Sequence, residues 1–362
     1  MLPATERLLL GPGPSPVLPR VARAMAAPSL SHLDPQLLAM LDQIRERLGR
    51  LFNVGEGGLA FAVSGTGSAG METAVANLVK PGQQVLSLVT GYFGERLAAT
   101  CERFGATVTR VEAPWGRAID PSVVEAALGA GKFDVLTIVH AETSTGVLNP
   151  AEAVAALANA HGALTIVDAV TSLGAHPVEM GRWGVDAIYS CSQKGVGAPS
   201  GMSPVAFSAR AREQASSHSF YFDLRLLEDY WLGRKYHHTI SAPLVYALLE
   251  ALAVIDDEGM EARSARHAAT HARLIEALDD LGLSLLPPEG ERLWTLNAVK
   301  LSDGIDDAKV RTALRDRFNI EIGAGLGPLA GKVWRVGLMG AGSTELNVLT
   351  LHAALSTLLK GS

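Results

Sequence analysis

The chain has 362 residues, of which 48% are hydrophobic and 19% charged, and this composition excludes a disordered protein. Its formal net charge of −6 at pH 7, without a long run of basic residues, argues against nucleic acid as a partner. The two cysteines, Cys101 and Cys191, show neither metal-ligand spacing nor a disulfide framework, which fits a reducing compartment.

The pattern of apolar residues predicts an α/β fold. An amphipathic helix is expected over 35–52, and short apolar runs that alternate with helical stretches follow it. Strands and helices that alternate in this way form a mostly parallel sheet with helices on both faces. Seven strands are expected, over 59–63, 84–89, 107–112, 134–140, 163–169, 186–192 and 203–208.

The pattern changes after residue 239, where a long helical zone over about 243–281 begins. A few strands and two further helices follow this zone, which predicts a smaller α+β domain. We therefore expect an N-terminal arm over 1–20, a large domain over 21–255 and a small C-terminal domain over 256–362.

Signals for export or membrane insertion are weak. The first 16 residues contain a short apolar patch but no basic region and no cleavage-like site. The most apolar segments, such as 151–160, are interrupted by Glu or Asn well short of a membrane span. We therefore expect a soluble cytoplasmic protein that has no membrane partner.

A glycine-rich segment follows the first strand of the predicted large sheet. Residues 65–70 read GTGSAG and match the dinucleotide-binding pattern G-x-G-x-x-G. That pattern also requires an acidic residue about 20 positions later, yet residues 83–94 contain no Asp or Glu. NAD is therefore disfavoured, whereas free N–H groups at the start of the next helix can still bind a phosphate. A tight turn without a ligand remains an open alternative at this point.

Two charged residues stand at the ends of apolar strand regions. Lys194, one of eight lysines, precedes a glycine-rich loop, where a buried amine can lose its proton and form a Schiff base. Asp168 ends another strand, where a buried carboxylate requires a cationic partner such as a pyridinium nitrogen. With the phosphate-binding turn, this pair predicts pyridoxal phosphate as the cofactor. Taken singly, Asp168 could be a helix cap and Lys194 a surface residue.

Collinear segments over nearly the whole chain match a known family. They include 8–21, 31–44, 64–82, 140–150, 167–195, 236–239 and 325–340. In these segments the chain resembles the class V aminotransferases of fold type I, most closely the alanine–glyoxylate and serine–glyoxylate group. The resemblance implies the fold type I architecture of PLP-dependent transferases and a homodimer with cofactor sites shared across the interface.

The resemblance also implies a role for each matched position. Lys194 would hold the cofactor as a Schiff base and move the proton at the substrate α-carbon, and Asp168 would pair with the ring nitrogen. Arg335 would bind the substrate carboxylate, which suits its planar guanidinium. Gly13 and Ser144 would also contact the substrate. The further cofactor contacts implied are Thr66, Gly67, Ser68, Phe93, Ser144, Val170, Gln193, Tyr236 and Thr239.

For some of these positions the resemblance implies a more specific contact. Tyr236 and Thr239 would reach the cofactor phosphate of the other subunit. Phe93 stands at the ring-stacking position, where some relatives have tryptophan, and either ring can stack. Ser68 stands where some members have histidine, which removes one possible ring contact. Ser144 would lie near the phenolic oxygen of the cofactor.

The resemblance implies an aminotransferase that moves an amino group from alanine or serine to glyoxylate by a ping-pong mechanism. A different donor, such as ureidoglycine, is the first alternative, and an NAD-dependent oxidoreductase or a cofactor-free binding protein are distant ones. No metal site is expected. Cysteine desulfurase chemistry is disfavoured, because no cysteine follows Cys191, which we expect to be a small buried apolar residue.

Overall fold

Fifteen strands lie within residues 7–359, the part of the chain that this computed structural model describes. They form one large sheet, a four-stranded sheet and two short pairs. In chain order the strands are β1 (Leu8–Leu9), β2 (Leu59–Ser64), β3 (Gln84–Val89), β4 (Thr107–Glu112), β5 (Val135–Val139), β6 (Ala141–Glu142), β7 (Val147–Leu148), β8 (Leu164–Asp168), β9 (Ala187–Tyr189), β10 (Met202–Phe207), β11 (Ser284–Leu285), β12 (Leu296–Lys300), β13 (Ile320–Glu321), β14 (Gly323–Ala324) and β15 (Val333–Gly337).

The large sheet contains seven strands in the order β2-β10-β9-β8-β5-β3-β4. Strand β10 is antiparallel to both of its neighbours, and the other strands run parallel to one another. The central strands β5 and β8 are buried along their whole length, as expected for a sheet with both faces covered. The predicted α/β fold with a mostly parallel seven-stranded sheet is therefore confirmed.

Thirteen helices lie within the same described residues. Several begin after an acidic residue whose side chain accepts a backbone N–H group, as at Asp34 and Asp306. The predicted helical zone over 243–281 is two helices, because Gly259 at their junction takes a φ of +78°. None of these thirteen helices is long and apolar enough to cross a membrane. In chain order they are α1 (Pro19–Ala24), α2 (Pro35–Leu51), α3 (Gly67–Leu78), α4 (Tyr92–Arg103), α5 (Pro121–Ala130), α6 (Ala151–Ala160), α7 (Met180–Trp183), α8 (Ala209–Gln214), α9 (Leu224–Trp231), α10 (Ala242–Glu258), α11 (Met260–Asp279), α12 (Asp307–Phe318) and α13 (Glu345–Leu359).

The buried apolar residues form two main cores. The members of the first run from Val21 to Ile255 and pack between the large sheet and its helices. The second core combines Leu10 with residues between Leu274 and Leu355, including residues of β11, β12 and β15. Each core thus belongs to a different sheet.

The N-terminal arm joins the second core. Strand β1 pairs in parallel with β13, with Leu8 opposite Ile320. The predicted domain limits near residues 20 and 255 stay a prediction, although no buried member of the first core follows Ile255. Residues 1–6 of the predicted arm and 360–362 of the predicted small domain lie outside the described residues.

Candidate active site

A cavity of about 300 Å³ opens at the carboxyl ends of the parallel strands. Its walls come from the N-terminal arm and from segments that follow β2, β3, β5, β8 and β9. Nine predicted site residues line it, namely Gly13, Thr66, Gly67, Ser68, Phe93, Asp168, Val170, Gln193 and Lys194. Residues that were not predicted also line it, namely Pro14, Met71, Arg96, Val139, Ala141, Thr143, Tyr189, Cys191 and Ser200.

The turn between β2 and α3 leaves backbone N–H groups free at the start of a helix. Thr66 precedes α3, and its side chain makes no capping hydrogen bond. Gly65 has a φ of +145°, and a Cβ there would lie 2.5 Å from the Cβ of Ala69, so the turn requires glycine. An anion at this turn would accept the N–H groups at the positive end of the helix dipole.

Asp168 ends β8 and is buried in the cavity wall. One carboxylate oxygen accepts the Val170 N–H group at 2.8 Å, and the other accepts the Tyr189 hydroxyl at 2.8 Å. Burial raises the pKa of Asp168 to about 6 in opposition to these hydrogen bonds, and the charge of Lys194 has only a minor opposing effect. A cationic ring nitrogen in the cavity would therefore stabilise the ionised form.

Lys194 extends from the segment after β9 into the same cavity. Its Nζ contacts the backbone oxygen of Pro12, and a Cβ at Gly13 would lie 2.6 Å from this Nζ. The Ser15 hydroxyl donates to the Lys194 carbonyl oxygen at 2.8 Å. Burial lowers the pKa of Lys194, and the charge of Arg335 acts in the same direction. The amine can therefore lose its proton readily, as a nucleophile or base must.

The side-chain oxygen of Gln193 is buried and has no hydrogen-bond partner within residues 7–359. A buried polar atom in this state is unfavourable, so a polar ligand group beside it would stabilise the site. The cavity thus offers an open helix start, an unpaired amide, a buried amine and a buried carboxylate. These residues fit pyridoxal phosphate, which combines a phosphate, an aldehyde and a basic ring.

Ser144 does not line the cavity, whereas Thr143 does. The predicted contacts of Ser144 with the cofactor and the substrate stay a prediction. The buried Ser144 hydroxyl donates to the Glu142 carboxylate at 2.6 Å and accepts the Tyr92 N–H group at 2.9 Å. Strand β6 ends at Glu142, and the turn that follows it brings Thr143 to the cavity while the Ser144 hydroxyl contacts Glu142.

Glu142 is a buried carboxylate that was not predicted. It accepts the N–H groups of Phe93 at 3.4 Å and Gly94 at 3.1 Å, in the first turn of α4, and that of Ser144 at 3.0 Å. Burial raises the pKa of Glu142, and the hydrogen bonds from Ser144 oppose this effect. Glu142 therefore fixes the start of α4 and, with it, the cavity wall formed by Phe93. Its signal in the sequence is an acid after an apolar strand, as for Asp168.

Arg335 lies on β15 beside the cavity but is not part of its lining. Its side chain is 7% exposed, and Nε donates to the Ala324 oxygen at 2.7 Å while Nη1 lies 3.5 Å from the Thr143 oxygen. Burial lowers the pKa of Arg335, and the charge of Glu142 opposes this effect. A guanidinium keeps its charge in proteins, so its other donors can bind a carboxylate.

Tyr236 and Thr239 are exposed and do not line the cavity of their own chain. The neighbouring His238 shares a hydrogen bond of 2.8 Å with the Ser64 hydroxyl at the end of β2. This contact ties the segment to the strand that precedes the phosphate-binding turn. The predicted contact with the cofactor of another subunit stays a prediction.

Cys191 lines the cavity as a buried thiol. Burial raises the pKa of Cys191 to about 12, so the thiol keeps its proton at neutral pH. This agrees with its interpretation as a small apolar residue rather than a nucleophile. Within the described part of the chain, no cluster of three or more His, Cys, Asp or Glu side chains could hold a metal ion.

Known proteins resemble this chain over almost its full length. Residues 14–336 match the family described as Aminotransferase class-V. The chain is 36% identical to the alanine–glyoxylate aminotransferase of Drosophila melanogaster, over 99% of this chain and 93% of that protein. The crystal structure of an alanine–glyoxylate aminotransferase from Nostoc has a TM-score of 0.96 and 45% identity, and covers 99% of this chain and 96% of that one. For the ureidoglycine–glyoxylate aminotransferase from Bacillus subtilis the TM-score is 0.96 and the identity 35%, with coverage of 99% and 94%.

Proposed function

Because the chain belongs to the class V aminotransferases, we propose that it moves the amino group of a small amino acid, alanine or serine, to glyoxylate. Membership of this family implies pyridoxal phosphate as the cofactor. The observation that carries the proposal is the presence of Lys194 and Asp168 in one cavity beside the open start of α3. Similar proteins whose names include glyoxylate support this choice of acceptor.

Different residues around the cavity would bind different parts of the cofactor. Pyridoxal phosphate, when bound, supplies an electron sink for the substrate α-carbon. The N–H groups at the start of α3 and the hydroxyls of Thr66 and Ser68 would hold the phosphate. Asp168 would keep the ring nitrogen protonated, and Phe93 and Val170 would pack against the ring.

Lys194 and Arg335 act on the substrate. Burial lowers the pKa of Lys194 and so favours the uncharged amine, whose Nζ could take a proton from the donor α-carbon and later deliver one to the acceptor. Arg335 would bind the carboxylate that alanine, serine and glyoxylate share. Because donor and acceptor present the same group to one arginine, they would use the site in turn, as a ping-pong mechanism requires.

A ureidoglycine-type donor is the second candidate. It is favoured by the 35% identity with the ureidoglycine–glyoxylate aminotransferase of Bacillus subtilis. Donor choice rests on few side chains, so both candidates keep the same roles for Lys194 and Asp168. The choice of donor is therefore an experimental question about the same cavity.

A visible spectrum tests the proposal. The purified protein is loaded with pyridoxal phosphate, and alanine, serine or ureidoglycine is added in turn. A yellow band that a donor bleaches and glyoxylate restores is expected, with parallel lines in double-reciprocal plots for a ping-pong mechanism. Lys194→Ala should abolish the response, whereas the exposed Lys80→Ala should keep it. A band that glyoxylate fails to restore would exclude glyoxylate as the acceptor, and full activity in Lys194→Ala would exclude the proposed role of Lys194.

We also infer a homodimer with shared cofactor sites, in the cytoplasm. Phe220 is 70% exposed and Tyr236 62% exposed, and large exposed aromatic side chains are typical of interfaces. The test is to mix the Lys194→Ala and Tyr236→Ala variants so that hybrid dimers form with one subunit of each. If Tyr236 serves the partner's site, a hybrid dimer has one site that lacks both residues and one intact site, so activity should return on mixing. Two variants that stay inactive after subunit exchange would contradict sharing.

A further inference from the structure

An arginine outside the cavity joins the segments that carry Lys194 and Asp168. Arg263, on α11, is 3% exposed. Its Nε donates to the Gly174 oxygen at 2.7 Å, and its Nη2 donates to the Gly195 oxygen at 2.8 Å. Gly195 follows Lys194 directly, and Gly174 lies in the turn that follows the strand of Asp168.

The two segments also touch each other through their backbones. A Cβ at Gly195 would lie 2.3 Å from the Leu173 oxygen, and a Cβ at Gly174 would lie 2.9 Å from the Gly195 carbonyl carbon. No side chain fits between them, so a displacement of one segment displaces the other. The hydrogen bonds from one rigid, planar guanidinium span this contact.

The charge of Arg263 is balanced by Glu258, which does not line the cavity. Its Nη1 donates to Glu258 at 2.6 Å, and the same carboxylate accepts Arg266 Nε at 2.6 Å. Arg266 also donates to the oxygens of Gly340 and Ser343, but not to the segment of Lys194. Two arginines on one helix thus share an acidic partner, and of these two only Arg263 holds the segments of the active site.

We propose that Arg263 is a positioning residue, which fixes the segment of Lys194 relative to that of Asp168 by holding the Gly195 and Gly174 oxygens. This inference rests on the proposed function, in which Lys194 and Asp168 meet opposite ends of one cofactor. A change in their separation alters the alignment of the amine without changing the carboxylate clamp at Arg335. The effect should therefore fall on kcat and on the cofactor spectrum, and not on KM for glyoxylate.

Three variants of the holoenzyme test the proposal. Arg263→Ala removes both contacts. Arg263→Lys keeps the charge but replaces the two nitrogens that reach the two oxygens by one on a flexible chain. Arg266→Ala is the matched control that also loses contact with Glu258. Arg263→Ala is expected to lower kcat about tenfold, with KM for glyoxylate within about twofold. It should also move the pH midpoint of the visible cofactor band by about half a pH unit. Arg263→Lys should have an intermediate effect, with a loss of about threefold in kcat. Arg266→Ala should match the wild type in kcat and in the pH midpoint of the band.

The outcomes separate this inference from the proposed function. A wild type without any cofactor band overturns both. The positioning role alone is overturned if the wild type has a normal band and Arg263→Ala keeps its kcat and the pH midpoint of its band but melts at a lower temperature. Equal losses in Arg263→Ala and Arg266→Ala would do the same, because they would show a general effect of the helix. If Arg263→Ala does not fold, Arg263→Lys is the deciding variant. The proposal is overturned if this variant has the kcat and the pH midpoint of the wild type.

Discussion

The Tyr189 hydroxyl donates a hydrogen bond of 2.8 Å to the Asp168 carboxylate, within the wall of the cofactor cavity. This donor favours the ionised form of Asp168, which the cofactor ring nitrogen requires as a partner. Tyr189→Phe should therefore bind pyridoxal phosphate about tenfold more weakly. Tyr230→Phe, which loses a hydroxyl bonded to the His32 oxygen, is the control. Titration of the apoprotein by absorbance measures both, and equal affinities would contradict the role of Tyr189.

Asp168 should also make the stability of the apoprotein depend on pH. Because burial raises its folded pKa to about 6, ionisation of Asp168 costs stability as the pH rises from the unfolded pKa through the folded one. Asp168→Asn removes this cost. Its advantage over the wild type in the free energy of unfolding should grow by about 1 to 2 kcal/mol between pH 5 and pH 8. Urea denaturation of the two apoproteins measures this, and a constant difference would show that Asp168 has an ordinary pKa.

Gly13 should be required for the position of the catalytic amine. It has a φ of +110°, and a Cβ would lie 2.6 Å from Lys194 Nζ, so the flexible lysine must move aside in Gly13→Ala. We expect a loss of kcat of about ten- to a hundredfold. Gly82→Ala is the matched control, since Gly82 has a φ of +83° but nothing lies within 4 Å of its added Cβ. Steady-state kinetics compare them, and equal losses would point to backbone strain instead of displacement of Lys194.

Glu142 should stabilise the start of α4. In Glu142→Gln an NH₂ group replaces one oxygen and faces a backbone N–H group, which leaves a buried donor unpaired. The free energy of unfolding should fall by about 1 to 3 kcal/mol. Glu102→Gln changes an exposed carboxylate that pairs with Arg110, and it should cost less than about 1 kcal/mol. Equal effects in chemical denaturation would mean that the contacts of Glu142 add nothing beyond a surface ion pair.

Lys194 and Asp168 can be found from the sequence because each follows an apolar strand. Parallel strands bring their carboxyl ends to one edge of the sheet, so residues far apart in the chain meet there. The same rule applies to Thr66 and Phe93, after β2 and β3. The order of the apolar segments is therefore enough to predict most of the large sheet and one wall of the cavity.

Other parts of the site have no such pattern. Strand β1 has two residues, too few for a periodicity, so its pairing with β13 and the approach of Pro12 to Lys194 are not predictable. The positions of Thr143 and Ser144 depend on the geometry of the turn after β6, which has no periodic pattern in the sequence. From the sequence alone Tyr189 is an ordinary core residue, because nothing there shows that its hydroxyl contacts Asp168.

The pairing of β1 with β13 has a consequence for the order of assembly. Leu8 and Leu9 are synthesised more than 300 positions before their partners Ile320 and Glu321. The contact of Pro12 with Lys194 spans 182 positions as well. The N-terminal arm therefore cannot take its final place until β13 has been synthesised, and the surroundings of Lys194 are completed only then. Such distant contacts slow folding, so a nascent chain released early would carry the lysine without the environment that lowers its pKa.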